Sequence, residues 1–277
     1  MKYWYPKFDG SDFYFFRIGG PGLGNLLFPY ARAIIEAEKW GGVVIQPTWP
    51  QFKPKRFVTL NRDQRGYSKF FVPGLNEVSG LNKLKTLILN KKFACDYKGN
   101  HGVSGVIEVS GMGEFFNDFV GYEDIVRREI MSRMIFEDNS VENDVFCAIH
   151  VRMGDFAVAN KYKDRIVGKR NERAPMEWYL STVEAIRSEY KDIKILVFSD
   201  GTAQELDKIL SLNNVVLSKS ISPVDDLYKM TKAKVFVGSS STFSYWACFL
   251  GDMKAIFPMG SFDLMPGVPT NKCVEIF

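Results

Sequence analysis

The segment at 150–155, HVRMGD, places an imidazole, a guanidinium and a carboxylate at the end of an apolar run. Along an extended strand His150 and Arg152 project to the same face, because they are two residues apart. A guanidinium donates bidentate hydrogen bonds to phosphate, so the two side chains together could hold one diphosphate. The alternative is that Arg152 and Asp155 only form an ion pair across a turn.

A second polar segment, GSSSTFSYW at 238–246, lies between a predicted strand and a predicted helix. Hydroxyl groups together with the unpaired amides of a helix start form a site for an anion. Ordinary helix capping is the alternative, and it needs only one hydroxyl. The candidate anion-binding residues here are Ser240, Ser241 and Thr242. Three aromatic residues of the same helix are interpreted as core packing, not as a stacking platform: Phe243, Tyr245 and Trp246.

A glycine-rich segment at 19–25, GGPGLGN, lies between a predicted strand and a predicted helix. Its spacing is not G-x-G-x-x-G, and the second strand ends without an acidic residue, so an NAD site is excluded. The absence of a following Gly-Lys-Ser or Gly-Lys-Thr excludes a P-loop. A close backbone approach to an anion and a purely structural turn both remain open. The candidate positions are Gly22, Gly24 and Asn25.

The sequence does not predict a metal site. There is no D-x-D pair, and neither His101 nor His150 has a partner at ligand spacing. Asp225 and Asp226 fall at a predicted helix start, where carboxylates bind free amides and the helix dipole.

The second half of the chain alternates strand and helix patterns. Strands are predicted at 145–149, 195–198, 215–217, 235–237 and 255–257, with the last one closing the series. Helices are predicted after Pro175, after a capping box at Thr202 and Glu205, after Ser222, and over 243–250. This alternation predicts a parallel sheet of Rossmann-like type.

The first half begins in the same way, with a strand at 13–18, a helix at 30–39, a strand at 43–45 and a helix at 81–89. The polar stretch 137–144 is the predicted boundary between an N-terminal domain, 1–140, and a C-terminal domain, 141–277. Ligands of parallel sheets bind at the carboxyl ends of the strands. That rule adds Ser199 and Asp200 to the three segments above.

Composition limits the class of protein. With 277 residues, 46% of them hydrophobic, the chain has enough apolar residues for a folded core. A net charge of +4, spread along the chain, does not predict a nucleic-acid binder. Four cysteines without paired spacing favour a reducing compartment. Since no signal peptide or membrane span is recognisable, we expect a cytoplasmic protein.

Four motifs in order are similar to those of the bacterial alpha-1,2-fucosyltransferases of glycosyltransferase family 11. They are GLGNLLFPYA, HVRMGDF, FSDG and SSSTFSYWA, the last preceded by DDLYKMTKAKVFVGSS, and SGMGEFF is a fainter match. The family patterns are G-L-G-N, H-x-R-R-G-D, F-S-D-D and N-S-T-F-S-W-W. Six positions depart from the family: Leu26, Pro29, Met153, Gly201, Ser240 and Tyr245.

The resemblance implies two Rossmann-like domains in the GT-B arrangement, with a nucleotide-sugar donor bound mainly by the second half. It implies inverting transfer of L-fucose from GDP-fucose to a hydroxyl of an oligosaccharide or lipid-linked glycan without a metal cofactor. With a lipid-linked acceptor, we expect peripheral membrane association. Asp155 is the expected base, with Glu114 as the alternative. Arg152, His150, the amides near Gly22 and Gly24, and the helix end at Ser241 and Thr242 are the groups expected to stabilise the leaving diphosphate. A transferase for another nucleotide sugar, or a non-catalytic nucleotide- or glycan-binding protein, is the alternative.

Overall fold

The structure is a computed structural model that describes residues 1–8, 11–52, 67–95, 103–136, 145–154, 156–158, 172–220, 222–268 and 272–276. These residues cluster into two compact units, unit 1 (Met1–Ile135) and unit 2 (Phe136–Phe277), and each is described by itself. The predicted boundary at 137–144 lies outside the described residues. The assignment of acceptor and donor to separate domains stays a prediction.

Unit 1 is an α/β unit. Its strands are β1 Lys2–Lys7, β2 Ser11–Asp12, β3 Arg17–Ile18, β4 Val43–Ile45, β5 Gln51–Phe52, β6 Glu77–Val78, β7 Lys92–Ala94 and β8 Gly105–Ser110. Its helices are α1 Leu23–Trp40, α2 Gly80–Leu89 and α3 Glu123–Met131, with a 3-10 helix at Phe115–Phe119. The order β6-β4-β1-β8-β7 forms a parallel sheet, and β2, β3 and β5 form a smaller one. The order of the parallel sheet reverses between β1 and β8.

The predicted strand at 13–18 is wrong for most of its length. The central strand of unit 1 is β1, and only Arg17–Ile18 of the predicted segment is a strand. The carboxylate of Asp12 accepts hydrogen bonds from the backbone N–H of Phe8 (2.9 Å) and of Tyr14 (2.8 Å), which closes a turn. Tyr14 has a φ of 69°, a left-handed conformation that does not occur in a strand. The aromatic run therefore reads as a strand by composition but folds as a turn.

The other predicted elements of unit 1 are confirmed. The helix expected at 30–39 lies within α1, which begins earlier, directly after Gly22. The strand at 43–45 is β4, and the helix at 81–89 is α2 extended by one residue.

Unit 2 is built around one parallel sheet. Its strands are β9 Phe146–Val151, β10 Ala157–Val158, β11 Glu172–Arg173, β12 Lys194–Ser199, β13 Val215–Leu217, β14 Val235–Val237, β15 Lys254–Pro258 and β16 Cys273–Ile276. Its helices are α4 Met176–Glu189, α5 Asp207–Leu210, α6 Pro223–Thr231 and α7 Thr242–Leu250, with a 3-10 helix at Phe262–Leu264. The sheet order is β13-β12-β9-β14-β15-β16, and the described neighbours are all parallel.

This strand order confirms the Rossmann-like prediction. Numbered by position in the unit, the order is 3-2-1-4-5-6, which is that of dinucleotide-binding Rossmann domains. All six residues of β9 are buried, because helices on both faces of a parallel sheet remove its central strand from water. The continuous apolar run in the sequence is the signature of that burial.

Side-chain capping fixes the start of α6, whereas the predicted capping box closes the turn before α5, whose own N-cap, Leu206, makes no side-chain cap bond. Thr202 and Glu205 form the predicted capping box, with the N–H of Thr202 bonded to Oε2 of Glu205 at 2.8 Å. The reciprocal bond, from the N–H of Glu205 to Oγ1 of Thr202, is 3.3 Å long. Ser222 caps α6 by accepting a bond from the N–H of Asp225 at 3.0 Å, with Pro223 in the first helical turn. Both capping patterns lie within a few residues and can therefore be recognised in the sequence.

One expectation about the sheet is wrong, because the series does not end with the strand at 255–257. β16 pairs in parallel with β15 and extends the sheet by one strand. It also brings Cys273 to within 2.8 Å of Cys248 on α7, measured between the sulfur atoms, and the two cysteines form no disulfide. The sequence spacing of 25 residues gave no sign of that contact.

Candidate functional site

The candidate site of unit 2 lies where the strand order reverses, between β9 and β14. The two strands pair in parallel, with Ile149 opposite Val237, so the residues that follow them leave the sheet side by side. In open α/β sheets, ligands bind outside the carboxyl ends of the strands at this reversal. The segment that begins with Arg152 follows β9, and the serine segment at 239–241 follows β14. The structure thus brings together three of the four segments that the sequence selected.

Arg152 forms an ion pair with Asp200, which follows β12 on the other side of β9. One guanidinium nitrogen of Arg152 bonds Oδ2 of Asp200, and Oδ1 of Asp200 accepts the N–H of Met153 at 2.8 Å. The guanidinium also lies over the ring of Phe156, 5.3 Å from its centroid. Both charged side chains remain partly exposed. An anion at this edge would therefore meet an arginine already held in place by a carboxylate and a ring.

The predicted pairing partner of Arg152, Asp155, lies outside the described residues. The partner seen in the structure is 48 positions away in sequence. Ser199 contributes to the same edge, since its hydroxyl donates to the carbonyl of Val151 at 2.6 Å and accepts the N–H of Gly201 at 3.0 Å. Ser199 therefore fixes the backbone that carries the carboxylate.

His150 is a buried, uncharged residue. Only 5% of the side chain is exposed, and Nδ1 lies 2.6 Å from Oγ of Ser244 and 3.2 Å from Oγ of Ser239. Burial, reinforced by the positive charge of Arg152 and opposed by Asp200, lowers the pKa of His150 to about 4. The binding of one diphosphate by His150 and Arg152 together stays a prediction. Any charge neutralisation in it would come from Arg152, because the imidazole is neutral at pH 7.

The serine segment forms one hydrogen-bonded cluster around this imidazole. Oγ of Ser239 lies 3.0 Å from Oγ of both Ser241 and Ser244. Ser241 is the N-cap of α7 and accepts the N–H of Ser244 at 3.3 Å. Ser240 points elsewhere, to Oγ of Ser261 at 2.7 Å. Capping thus occupies one hydroxyl, as ordinary capping requires, and the additional serines bind each other and His150.

The start of α7 also supplies backbone amides at this edge. The first amides of an α-helix have no acceptor within the helix and carry the positive end of its dipole. Thr242 is the first residue of α7, and it follows the reversal point directly. The geometry is therefore suited to an anion, although it does not identify one.

Two of the three aromatic residues predicted to pack in the core, Tyr245 and Trp246, do so, whereas Phe243 lies at the margin. Tyr245 and Trp246 are fully buried. Tyr245 stacks on Phe257 at 5.0 Å between centroids and donates its hydroxyl to the carbonyl of Ser261 at 2.7 Å. Phe243 is half-buried, and its ring packs edge-on to His150 at 5.3 Å.

At the carboxyl ends of the strands, the sequence analysis missed one polar residue, Arg173, and did not foresee the burial of another, Asp226. Arg173 bonds the carbonyls of Phe156 (2.8 Å) and Gly154 (3.3 Å), and therefore holds the segment that follows Arg152. Asp226, in the first turn of α6, has a pKa raised to about 6, chiefly by burial. Arg173 belongs to no recognisable motif, and the sequence placed Asp226 only at a helix start, because the burial that shifts its pKa depends on the fold.

Two of the departures from the family pattern are neighbours in space. A Cβ on Gly201 would lie 2.8 Å from Cγ of Met153 and 3.2 Å from its Cβ. A carboxylate at 201 would therefore conflict with methionine at 153. The two differences, which look independent in sequence, form one local change of packing.

The glycine segment lies in unit 1, at the start of α1. Gly19 and Gly20 have φ values of 68° and 105°, so they form a structural turn that favours glycine. Gly22 has an ordinary φ of −71° and serves as the N-cap of α1, and an added Cβ would meet no described atom within 4 Å. Gly24 is buried in the first turn, and the N–H of Asn25 bonds the carbonyl of Gly22 at 3.1 Å. The two interpretations therefore apply to different residues. Residues 19–20 form the structural turn, and the backbone at Gly22 is open to a close approach by an anion.

The alternative base, Glu114, is exposed and follows β8, at the reversal point of the unit 1 sheet. Its segment is fixed by Arg32 of α1, which donates to the carbonyls of Ser110 (2.9 Å) and Gly111 (3.0 Å). Arg32 is also paired with Asp118 at 3.2 Å. The segment of the faint SGMGEFF motif is therefore held in place by Arg32 and lies at the carboxyl end of β8.

The described residues offer neither a metal site nor a membrane-spanning helix. Among them, no group of three or more His, Cys, Asp or Glu side chains is placed to hold a metal ion. Asp225, within the predicted helix start, pairs with Lys229 at 3.0 Å. Of the helices in the described part of the chain, none is long and apolar enough to span a membrane.

Comparisons with known proteins agree with this architecture. The model of the family described as "Glycosyl transferase family 11" matches residues 109–259, which is more than half of the chain. An alpha-1,2-colitosyltransferase from Escherichia coli is 22% identical over 275 residues, covering 84% of this chain and 86% of that protein. The crystal structure of fucosyltransferase NodZ from Bradyrhizobium aligns with a TM-score of 0.52 at 12% identity, covering 90% and 92% of the two chains. That likeness concerns the fold, which is GT-B-like. The chain, an α/β protein with Rossmann-like units, belongs to glycosyl transferase family 11 and is a glycosyltransferase.

Proposed function

We propose that the chain transfers L-fucose from GDP-fucose to a hydroxyl of a glycan acceptor, in an α-1,2 linkage and with inversion. The family match supports the reaction type, and the fucosyltransferase motifs of the sequence support the sugar. A second candidate is transfer of colitose, because a relative covering most of the chain is named an alpha-1,2-colitosyltransferase.

The observation that carries the proposal is the position of Arg152 at the reversal of the unit 2 sheet. Arg152 follows β9 and the start of α7 follows the neighbouring strand β14, so a diphosphate bound across these two strand ends would receive both a bidentate cation and helix amides. The guanidinium of Arg152 is paired with the carboxylate of Asp200. Donor binding would exchange that carboxylate for phosphate oxygens, and the departing diphosphate would stay bound to the same groups.

His150 has a positioning role in this proposal. Its neutral Nδ1 joins Ser239 and Ser244 and so fixes the turn from which α7 starts. Ser241 caps the helix, and Ser241 and Thr242 present the helix end to the diphosphate. Charge stabilisation falls to Arg152 and the amides, which would make a metal ion unnecessary.

Asp155 is the proposed base that takes the proton of the acceptor hydroxyl while that oxygen attacks the anomeric carbon. The bond between the anomeric carbon and the diphosphate oxygen breaks in the same step, and GDP leaves. Glu114 remains the alternative base.

Calorimetric titration tests the donor site directly. We expect GDP-fucose to bind more tightly than GDP-mannose or UDP-sugars, with affinity unchanged by EDTA. Arg152→Ala should weaken binding roughly 10- to 200-fold, the value of about 1.5–3 kcal/mol for a hydrogen bond to a charged group. Arg152→Lys should restore only part, because a lysine cannot donate bidentately.

Arg187→Ala is the matched control. Arg187 lies on α4 and donates to the carbonyl of Asn213, which lies before the amino end of β13 and therefore away from the carboxyl ends of the strands. Wild-type affinity in Arg152→Ala, or loss of turnover on adding EDTA, would refute the diphosphate site. Tighter binding of a UDP-sugar would instead refute the guanine donor and leave the site intact.

A further inference from the structure

Helix α2 of unit 1 buries a lysine and exposes most of its leucine and isoleucine side chains, which is the reverse of an ordinary surface helix. Its lysine at 83 is only 5% exposed, whereas Leu81, Ile88 and Leu89 are 84%, 70% and 69% exposed. A surface helix normally buries its leucines and leaves its lysines in water. The solvent-exposed face of α2 is therefore largely apolar.

The rotation of α2 is fixed by polar contacts on its inner face. Nζ of Lys83 donates to the carbonyl of Gln46 at 2.7 Å and lies 3.4 Å from Oγ1 of Thr48. The ammonium also lies over the ring of Tyr5, 5.3 Å from its centroid, and Leu87 is buried beside it. Turning the helix to hide its leucines would expose Leu87 and break these bonds. The apolar face thus stays outward while unit 1 is folded.

The exposed leucine and isoleucine side chains form a stripe along one face of the helix. Leu81, Leu84 and Ile88 follow the spacing i, i+3, i+7, which places them in a row along one helix face. Leu89 lies at the edge of this row, beside a cavity of about 360 Å³ that is also lined by Met1 and Lys85. Contiguous apolar surface of this kind marks an interaction site.

The charged residues of α2 and of the segment that follows it are all lysines. Lys85, Lys91 and Lys92 lie on α2 or just after it and are exposed, and the sequence from Val78 to Cys95 contains no Asp or Glu. An apolar helix face bordered by lysines is the pattern of a helix that lies in the interface of an anionic bilayer. Each lysine near such a surface adds about 1 kcal/mol of attraction.

We propose that α2 docks this chain onto the surface of an anionic lipid bilayer, with Leu81, Leu84 and Ile88 inserted among the lipids. Lys85 and Lys91 contact the phosphate headgroups. The proposal does not depend on the donor sugar or on the diphosphate site. A second copy of the chain fits the face less well, because a two-fold dimer would bring the same lysines against each other.

Co-sedimentation with vesicles tests the proposal in the full chain. We expect binding to vesicles of phosphatidylcholine with 30% phosphatidylglycerol, weakened by raising the salt from about 50 to 300 mM, and little binding to pure phosphatidylcholine. The double variant Leu81→Gln, Ile88→Gln should bind about tenfold more weakly or worse, since it removes two inserted side chains. Lys85→Gln, Lys91→Gln should lose binding mainly at low salt.

Val120→Ser is the matched control, because Val120 is 67% exposed in the same unit but does not belong to α2. It should bind like the wild type. All variants alter exposed side chains, so their thermal unfolding midpoints should match that of the wild type. Equal binding to neutral and anionic vesicles, or wild-type binding by the Leu81 and Ile88 variant, would overturn the proposal. So would a dimer in analytical ultracentrifugation that this variant dissociates, since a second copy would then cover the face.

Discussion

Acidification is expected to destabilise unit 2 through His150. The pKa of His150 is lowered to about 4 from its ordinary 6.5 because the imidazole is buried among serine hydroxyls. Between these two pH values the unfolded chain binds a proton that the folded chain does not. The free energy of unfolding contributed by this group is therefore complete above pH 6.5 and falls as the pH drops towards 4. The full difference corresponds to about 3 kcal/mol.

The variant His150→Asn isolates that contribution. An asparagine amide can replace Nδ1 as a hydrogen-bonding group, but it does not titrate. Urea unfolding of the wild type and the variant between pH 4 and 7.5 gives a difference curve in which the carboxylates cancel. We expect the wild type to lose about 3 kcal/mol relative to the variant over this range.

The imidazole pKa can also be measured directly by NMR. The chain has two histidines, so His101→Gln leaves His150 as the only imidazole signal. We expect that signal to titrate near pH 4. A midpoint above pH 6, or a flat difference curve in the unfolding experiment, would refute the claim that His150 is a neutral residue of the serine cluster.

Three further predictions concern unit 2. Burial raises the pKa of Asp226 to about 6, so its carboxylate weakens the fold as the pH rises from about 4 to 6; Asp226→Asn should remove this trend, up to about 3 kcal/mol, in urea unfolding at pH 4 and 7. Ser241→Ala should lower the unfolding free energy by about 1 kcal/mol, because it removes the cap of α7, and a change near zero in chemical denaturation would contradict the capping role. Gly201→Asp should cost about 1–3 kcal/mol through its contact with Met153, and combining it with Met153→Ala should cost less than the sum of the two single variants; strict additivity in thermal unfolding would disprove the contact.

Elements whose signals lie within a few residues could be predicted from the sequence. The buried strands β9, β12 and β14 read as short apolar runs, and the starts of α6 and α7 read from Ser222 and Ser241. The site segments were found for the same reason, since each follows a recognisable strand. The aromatic turn at 13–16 was misread because its conformation depends on the Asp12 carboxylate and on a left-handed residue, neither of which affects hydrophobic periodicity.

What the sequence by itself determined is the alternation of strands and helices, and hence an α/β protein with polar residues at its strand ends. Only the tertiary structure decided the strand order, and the order decides that β9 and β14 are neighbours. It also gave Arg152 a carboxylate partner 48 positions away, made His150 neutral by burial, and turned the leucines of α2 outward. The physical reason is that periodicity and capping act over a few residues, whereas ion pairing and desolvation depend on atoms that only folding brings together.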